Sequence, residues 1–249
     1  MAKQKLVKKG KPWFRALKGI MRIRYKSPEF IFLDGEEFSN GSVILSNHEG
    51  TDAPMSLEMY LDKPMRMWGT CEMNSGLKRM YAYQSRYYFH EKKHWNLHLA
   101  RLFCLIASPL TNLFYSGFDL ISTYTDTRFI KTMRESKEAL DMGQSIVIFP
   151  EDSSKGYLAK LEDFFAGFLV FSEKCFKQGL DVPIVVSYFK KKEKIYIFDK
   201  PILYSELVTQ EKTRKNIIKR LLNRCNELGT MTKEDCEKYV GETTQLKSA

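Results

Sequence analysis

Histidine is scarce in this chain. Only His48, His90, His94 and His98 occur, so any chemistry that needs an imidazole must draw on one of four residues. Cysteine is also sparse. The five cysteines stand at positions 71, 104, 175, 225 and 236 with no CxxC spacing, which argues against a disulfide framework or a zinc ribbon and fits a reducing compartment. No run of 18 apolar residues exists. The nearest approach, residues 97–118, is broken by Arg101, Ser108, Pro109, Thr111 and Asn112, so a buried or interfacial helix kinked near Pro109 is expected there rather than a membrane span. The basic N-terminus is not followed by an uninterrupted apolar segment, so no secretory signal is expected. Repeats, low-complexity tracts, RNP patterns and zinc fingers are all missing, which leaves little support for nucleic-acid binding.

Acidic residues are missing from one place in particular. Residues 1–26 hold ten Lys or Arg and no Asp or Glu, while the chain as a whole has 40 basic and 30 acidic residues. The net charge of +10 therefore belongs to this segment, and the remainder is neutral. The same segment carries Trp13, Phe14, Leu17, Ile20 and Met21 at helical spacing. A helix there has an apolar stripe and a cationic face, the pattern of a helix lying on an anionic membrane surface. A solvated basic tail, a core-packed helix and a nucleic-acid arm are the competing readings.

What is present is globular: 249 residues at 43% hydrophobic content are enough for one domain with a sizeable core. Short strands are expected at residues 30–33, 42–45 and 65–70, with a helix at 53–61 between the last two. Residues 74–116, rich in aromatics and Lys/Arg, read as mainly helical. A helix at 128–142 is stopped by Gly143. The runs SIVIF (145–149) and VPIVVSYF (182–189) suit strands buried on both faces. A helix at 164–178 lies between them. KIYIF (194–198) alternates like an edge strand, and 205–228 reads as one closing helix capped by Ser205. Strands alternating with helices predict an α/β fold whose mostly parallel sheet is flanked by helices. In such sheets the chemistry lies beyond the carboxyl ends of the strands, where His48 and Glu151 both fall.

Residues 43–54 read VILSNHEGTDAP, a buried strand running into His48 and then Asp52. A neutral imidazole can take a proton from an alcohol near neutral pH, and does so better when a carboxylate holds its other nitrogen. Four residues apart on a helical turn, the two side chains would share a face. No serine or cysteine stands between His48 and Asp52, so the nucleophile would be the substrate's own hydroxyl. Taken alone, such a pair is more often structural than catalytic.

The order of several such stretches resembles the lysophospholipid and glycerolipid acyltransferase family, which includes the 1-acylglycerol-3-phosphate acyltransferases. Asn47-His48 with Asp52 resembles its NHxxxxD block, and Phe149-Pro150-Glu151 its FPEG(T/S)RS block. Phe164 with Gly167 resembles the FKxG that follows. Val182-Pro183-Ile184-Val185 resembles the VPIVP strand, and Lys200-Pro201-Ile202 the G(K/E)PI after it. The resemblance covers residues 40–205. It implies transfer of a fatty acyl group from acyl-CoA or acyl carrier protein, as substrate, to a glycerolipid-type hydroxyl such as that of a lysophosphatidate. His48 would be the base and Asp52 its orienting acid, with Glu151, Ser153 and Asn47 in the acceptor site. No metal or resident cofactor is implied. A domain over 28–230 is expected, preceded by the basic membrane-surface segment 1–27 and followed by a tail, 231–249. The protein would sit peripherally on the cytoplasmic face of the cell membrane.

This sequence departs from the family pattern. Three residues, not four, separate His48 from Asp52. The family's glycine after the glutamate is Asp152 and its arginine is Ser154, which removes a bidentate phosphate donor; Lys155 could replace it as a point charge. The family's second block, GxxxIxR, aligns with residues 117–124 without its arginine, a place Arg128 could fill. The interval between the first and third blocks is longer than usual, and 74–116 is the expected insertion. An altered acceptor is therefore open, whether another hydroxyl, an amine, or no turnover at all in a lipid-binding relative. A rival constellation is His90-Glu91-Lys92-Lys93-His94, an HExxH match followed by His98. On one helix the three imidazoles would share a face that could hold a metal, but two central lysines favour a solvated face.

Overall fold

The computed structural model describes residues 12–152 and 156–248. Its centre is an eight-stranded mixed sheet in the order β1-β7-β6-β2-β5-β3-β4, with β8 paired to β6. The strands are β1 (Glu29–Phe32), β2 (Val43–Ser46), β3 (Met65–Thr70), β4 (Ile121–Thr123), β5 (Ser145–Ile148), β6 (Pro183–Lys190), β7 (Ile195–Phe198) and β8 (Ile202–Leu203). β6, β2, β5, β3 and β4 run parallel, while β7 and β8 meet β6 antiparallel and β1 follows β7. The α/β class and the mostly parallel sheet are as the sequence implies.

The period of two explains why the central strands read as unbroken apolar runs. Val43, Leu45, Ile146, Ile148, Ile184 and Val186 point to one face, where α5 (Phe129–Asp141), α6 (Gly167–Lys177) and α8 (Arg214–Thr230) cover them. Ile44, Val147 and Val185 point to the other, against α1 (Pro12–Arg24) and α2 (Asp52–Tyr60). Between β3 and β4 the chain makes a helical excursion. A short 3-10 turn at Cys71–Asn74 leads into α3 (Leu77–Ala82), which passes into a π-helix, Tyr83–Lys92. α4 (Leu97–Tyr115) returns to the sheet. The Asn96 side chain starts α4 by accepting from the backbone N–H groups of His98 and Leu99, and the helix continues through Pro109.

Four local expectations change. β7 is interior rather than an edge, since β1 lies outside it and all four of its residues are buried. The closing helix is two: α7 (Tyr204–Gln210) ends at Glu211, and Thr213 restarts the chain as α8 by accepting from the Asn216 N–H. Residues 231–249 contain α9 (Lys233–Ser248) instead of a tail; Thr232 and Asp235 cap each other's backbone N–H reciprocally at its start. The basic segment's apolar stripe is divided. Phe14 is buried, and Leu17 and Met21 pack against the core. Lys18 forms an ion pair with Glu58, and Arg22 donates to the Met59 carbonyl. Of the large apolar residues of α1, Trp13, Ile20 and Ile23 are exposed. Lys3, Lys5, Lys8, Lys9 and Lys11 lie outside the described residues.

Phe14 fixes α1 to the end of the excursion, with its ring 5.7 Å from both Phe114 and Phe118. Gly117 lies beneath that ring, and a Cβ there would collide with it. Gly117→Ala should therefore cost about 1–3 kcal/mol by overpacking. Urea unfolding checks this, and the loss should shrink in a Phe14→Leu background; additive losses would contradict the contact.

Candidate active site at the carboxyl edge of the sheet

β2 and β5 are neighbours, with Leu45 opposite Ile148, so the residues that follow them emerge side by side. His48 follows β2 and Glu151 follows β5. The backbone N–H of His48 donates to Glu151 Oε1 at 2.8 Å. Glu151 is itself buried and forms an isolated bridge to Phe164. Burial pushes its carboxyl up to about 7; Glu49 adds to the shift, and the His48 N–H and Lys92 oppose it.

The His48 ring is held on three sides. Phe149 stands 4.8 Å away and Tyr157 stacks at 5.1 Å, both between ring centroids. The ring Nδ1 bonds to the Gly50 carbonyl. A carbonyl only accepts, so Nδ1 carries the hydrogen and the lone pair of a neutral ring lies on Nε2. The turn that brings this carbonyl back to the ring needs left-handed backbone at Glu49 (φ 42°) and Gly50 (φ 69°), which glycine adopts without strain at the second position. Among the described residues no hydrogen bond reaches Nε2. Burial lowers the ring to about 4, from an ordinary 6.5; the Gly50 carbonyl opposes this and Lys92 adds to it. The residue is half-buried, and the ring resists charging.

Asp52 is not the partner of this ring. It is the first residue of α2, and its carboxylate forms an ion pair with Lys191 Nζ at 2.7 Å, just beyond β6. The short spacing places the acid at the start of the helix, while the Gly50 carbonyl takes the orienting position that sequence reasoning gave to Asp52. Asn47 is buried and bridges strands: its amide donates to the Phe189 carbonyl at 3.1 Å and accepts from the Phe189 N–H at 2.7 Å. That extends the β2–β6 ladder by one side chain, in place of the expected acceptor contact. Arg128 lies past β4, doubly bonded to Asp126 and stacked 4.6 Å over Tyr124, with no contact to His48 or Glu151 among the described residues. Ser153, Ser154 and Lys155 lie outside the described residues.

Two residues that sequence reasoning passed over belong here. Tyr157 covers the ring, and Lys92 Nζ sits 5.1 Å over Tyr157 from the other side. Lys92 is held below its usual pKa by burial and by Lys93, against the pull of Glu151 and Asp152. It was legible only as a lysine inside the HExxH match. That match does not form one helical face. The helix ends at Lys92, His94 has left-handed backbone (φ 58°), and His98 starts α4. His90 Nδ1 bonds to the Trp95 carbonyl at 2.8 Å. Among the described residues no group of three or more His, Cys, Asp or Glu side chains converges.

No protein-family model matches the chain, and comparison with curated proteins finds no relative.

His48 and Glu151 should drive stability in opposite directions with pH. Between about pH 4 and 6.5 the unfolded chain protonates its histidine while folded His48 stays neutral, so this contribution to stability rises with pH. Between about pH 4.5 and 7 folded Glu151 keeps a proton that the unfolded chain has lost, so this contribution falls with pH. Thermal unfolding across that window should show Glu151→Gln gaining stability with pH relative to wild type, and His48→Gln losing it. Parallel profiles for the three proteins would contradict the two shifts.

Proposed function

We propose that the protein is an acyltransferase that moves a fatty acyl group from a thioester donor, acyl-CoA or acyl carrier protein, to a glycerolipid-type hydroxyl. The observation that carries this reading is the His48 ring: neutral, oriented through Nδ1 at the sheet's carboxyl edge, with no hydrogen bond reaching its Nε2 lone pair among the described residues. The ordered blocks that resemble the glycerolipid acyltransferases supply the substrate class, with a lysophosphatidate-like acceptor as the first expectation. His48 Nε2 takes the proton from the acceptor hydroxyl as its oxygen attacks the thioester carbonyl. The tetrahedral intermediate then collapses, the C–S bond breaks, and the proton passes from the imidazolium to the departing thiolate. No covalent acyl-enzyme is needed.

Glu151 is a positioning residue in this scheme. It holds the His48 backbone N–H from beneath and, with Asn47 tying β2 to β6, fixes where the ring stands. The Gly50 carbonyl stabilises the imidazolium less than a carboxylate would, and a ring lowered to about 4 is a weak base. Those two facts favour a second reading, a lipid-binding relative with weakened turnover, and the Asp52–Lys191 ion pair points the same way.

Thioester consumption by purified protein, screened against lysophospholipids, polyols and amines, separates the readings. His48→Ala should lower the rate about 10²–10⁴-fold, the usual worth of a general base. Asp52→Asn should cost less than about tenfold, because its partner is Lys191. Equal losses for the two variants would restore a His48–Asp52 dyad. A wild-type protein inert across the panel would leave the binding reading.

A further inference from the structure

The two longest stretches of the chain without an acidic residue are everything before Glu29 and residues 92–118. They are far apart in sequence, yet the structure joins them, since Phe14 of α1 packs on Phe114 and Phe118 at the end of α4. The surface they form is unusual for a folded domain. α4 packs against α3 and the π-helix through a narrow seam of small residues, Ala100, Cys104 and Ser108, where Ser108 Oγ donates to Gln84. Its broad outer face is bare. Leu102 and Ile106 are 65% and 74% exposed, and Leu99, Leu105 and Leu110 are exposed beside them. Arg101 is the one charged residue in the helix. At its N-terminal end Trp95, Phe89 and Phe103 cluster with centroids 4.9–5.5 Å apart, beside Lys92 and Lys93.

We propose that this joint face of α4 and α1 docks on an anionic phospholipid leaflet, with α4 lying in the plane of the interface and its leucine-isoleucine face sunk among the acyl chains. Charge complementarity selects this occupant: an apolar face without carboxylates, with Lys92 and Lys93 just before α4 in the chain and Arg15 and Arg24 exposed on α1, suits anionic headgroups around a hydrocarbon layer. Aromatic side chains at its end suit headgroup depth. α4 is long and apolar enough to cross a bilayer. It lies flat because the excursion leaves from β3 and returns to β4, hydrogen-bonded neighbours in one sheet. The helix clasped to it carries Lys78, Arg79, Arg86 and Glu91, which could not accompany it across. The division of labour expected from the sequence is thus altered. α1 gives most of its stripe to the core and contributes cations, and α4 supplies the inserted surface. The face meets the candidate active site at Lys92, which caps the Tyr157–His48 stack.

Docking does not depend on acyl transfer, so the test uses no thioester. The full-length protein is floated with vesicles of phosphatidylcholine, alone or with phosphatidylglycerol added. Wild type should bind the anionic vesicles, and Trp95 fluorescence should be quenched by lipids brominated near the headgroup end of the acyl chain. Leu102→Glu/Ile106→Glu, at positions too exposed to disturb folding, should lower partitioning about tenfold or more. Unchanged partitioning of that variant, or no quenching of bound wild type, would overturn the proposal. So would a wild-type dimer that the substitutions split without affecting vesicle binding, because the face would then belong to a second copy of the chain.

Discussion

The bond from His48 Nδ1 to the Gly50 carbonyl is the constraint on which the candidate site rests. It fixes the tautomer without any ionisable partner. A carboxylate in that place would raise the ring's affinity for a proton; a backbone carbonyl orients the ring and leaves burial to dominate, which is why the ring is lowered to about 4. The bond exists only because two successive residues, Glu49 and Gly50, adopt left-handed backbone immediately after a parallel strand. With three residues between His48 and Asp52, the same curled turn leads straight into α2, and the acid goes to Lys191.

The sheet supplies the rest of the site. Parallel pairing of β2 with β5 sets Glu151 under His48, and β6 on the other side receives Asn47. Glu151 and His48 are both disfavoured in their charged forms, and both sit close to Lys92. Burial also lowers the pKa of Lys92, and the Asp52–Lys191 ion pair stands at the same edge. The excursion between β3 and β4 delivers Lys92 and so contributes to the wall of the site.

Much of the fold was legible because its signals are local. The apolar runs at 145–149 and 182–189 announce strands covered on both faces, and β3 falls at residues 65–70 as the pattern implies. Glycines and caps bound most helices. The split of the closing helix and α9 turn on local caps at Thr213 and Thr232, whereas at β7 and α1 the deciding contact is remote in sequence. β7 reads as an edge until β1 arrives from far upstream to cover it. The stripe of α1 looks free until Glu58, Met59 and Phe118 are placed beside it. At the site, residue types and their position at strand ends could be read from the sequence. The partners could not, because a His–Asp spacing carries no information about which of them a backbone carbonyl or Lys191 will take. Nothing in the sequence around Tyr157 marks it as the ring's cover.

The central claim is that His48 stands neutral, with hydrogen on Nδ1 and a free lone pair on Nε2. Nuclear magnetic resonance of isotope-labelled imidazole nitrogens in the folded protein tests it most directly. The account predicts that His48 keeps a protonated Nδ1 and an unprotonated Nε2 from about pH 8 down to about pH 5. A His48 signal with hydrogen on Nε2, or one that takes up its second proton near pH 6.5, would contradict it.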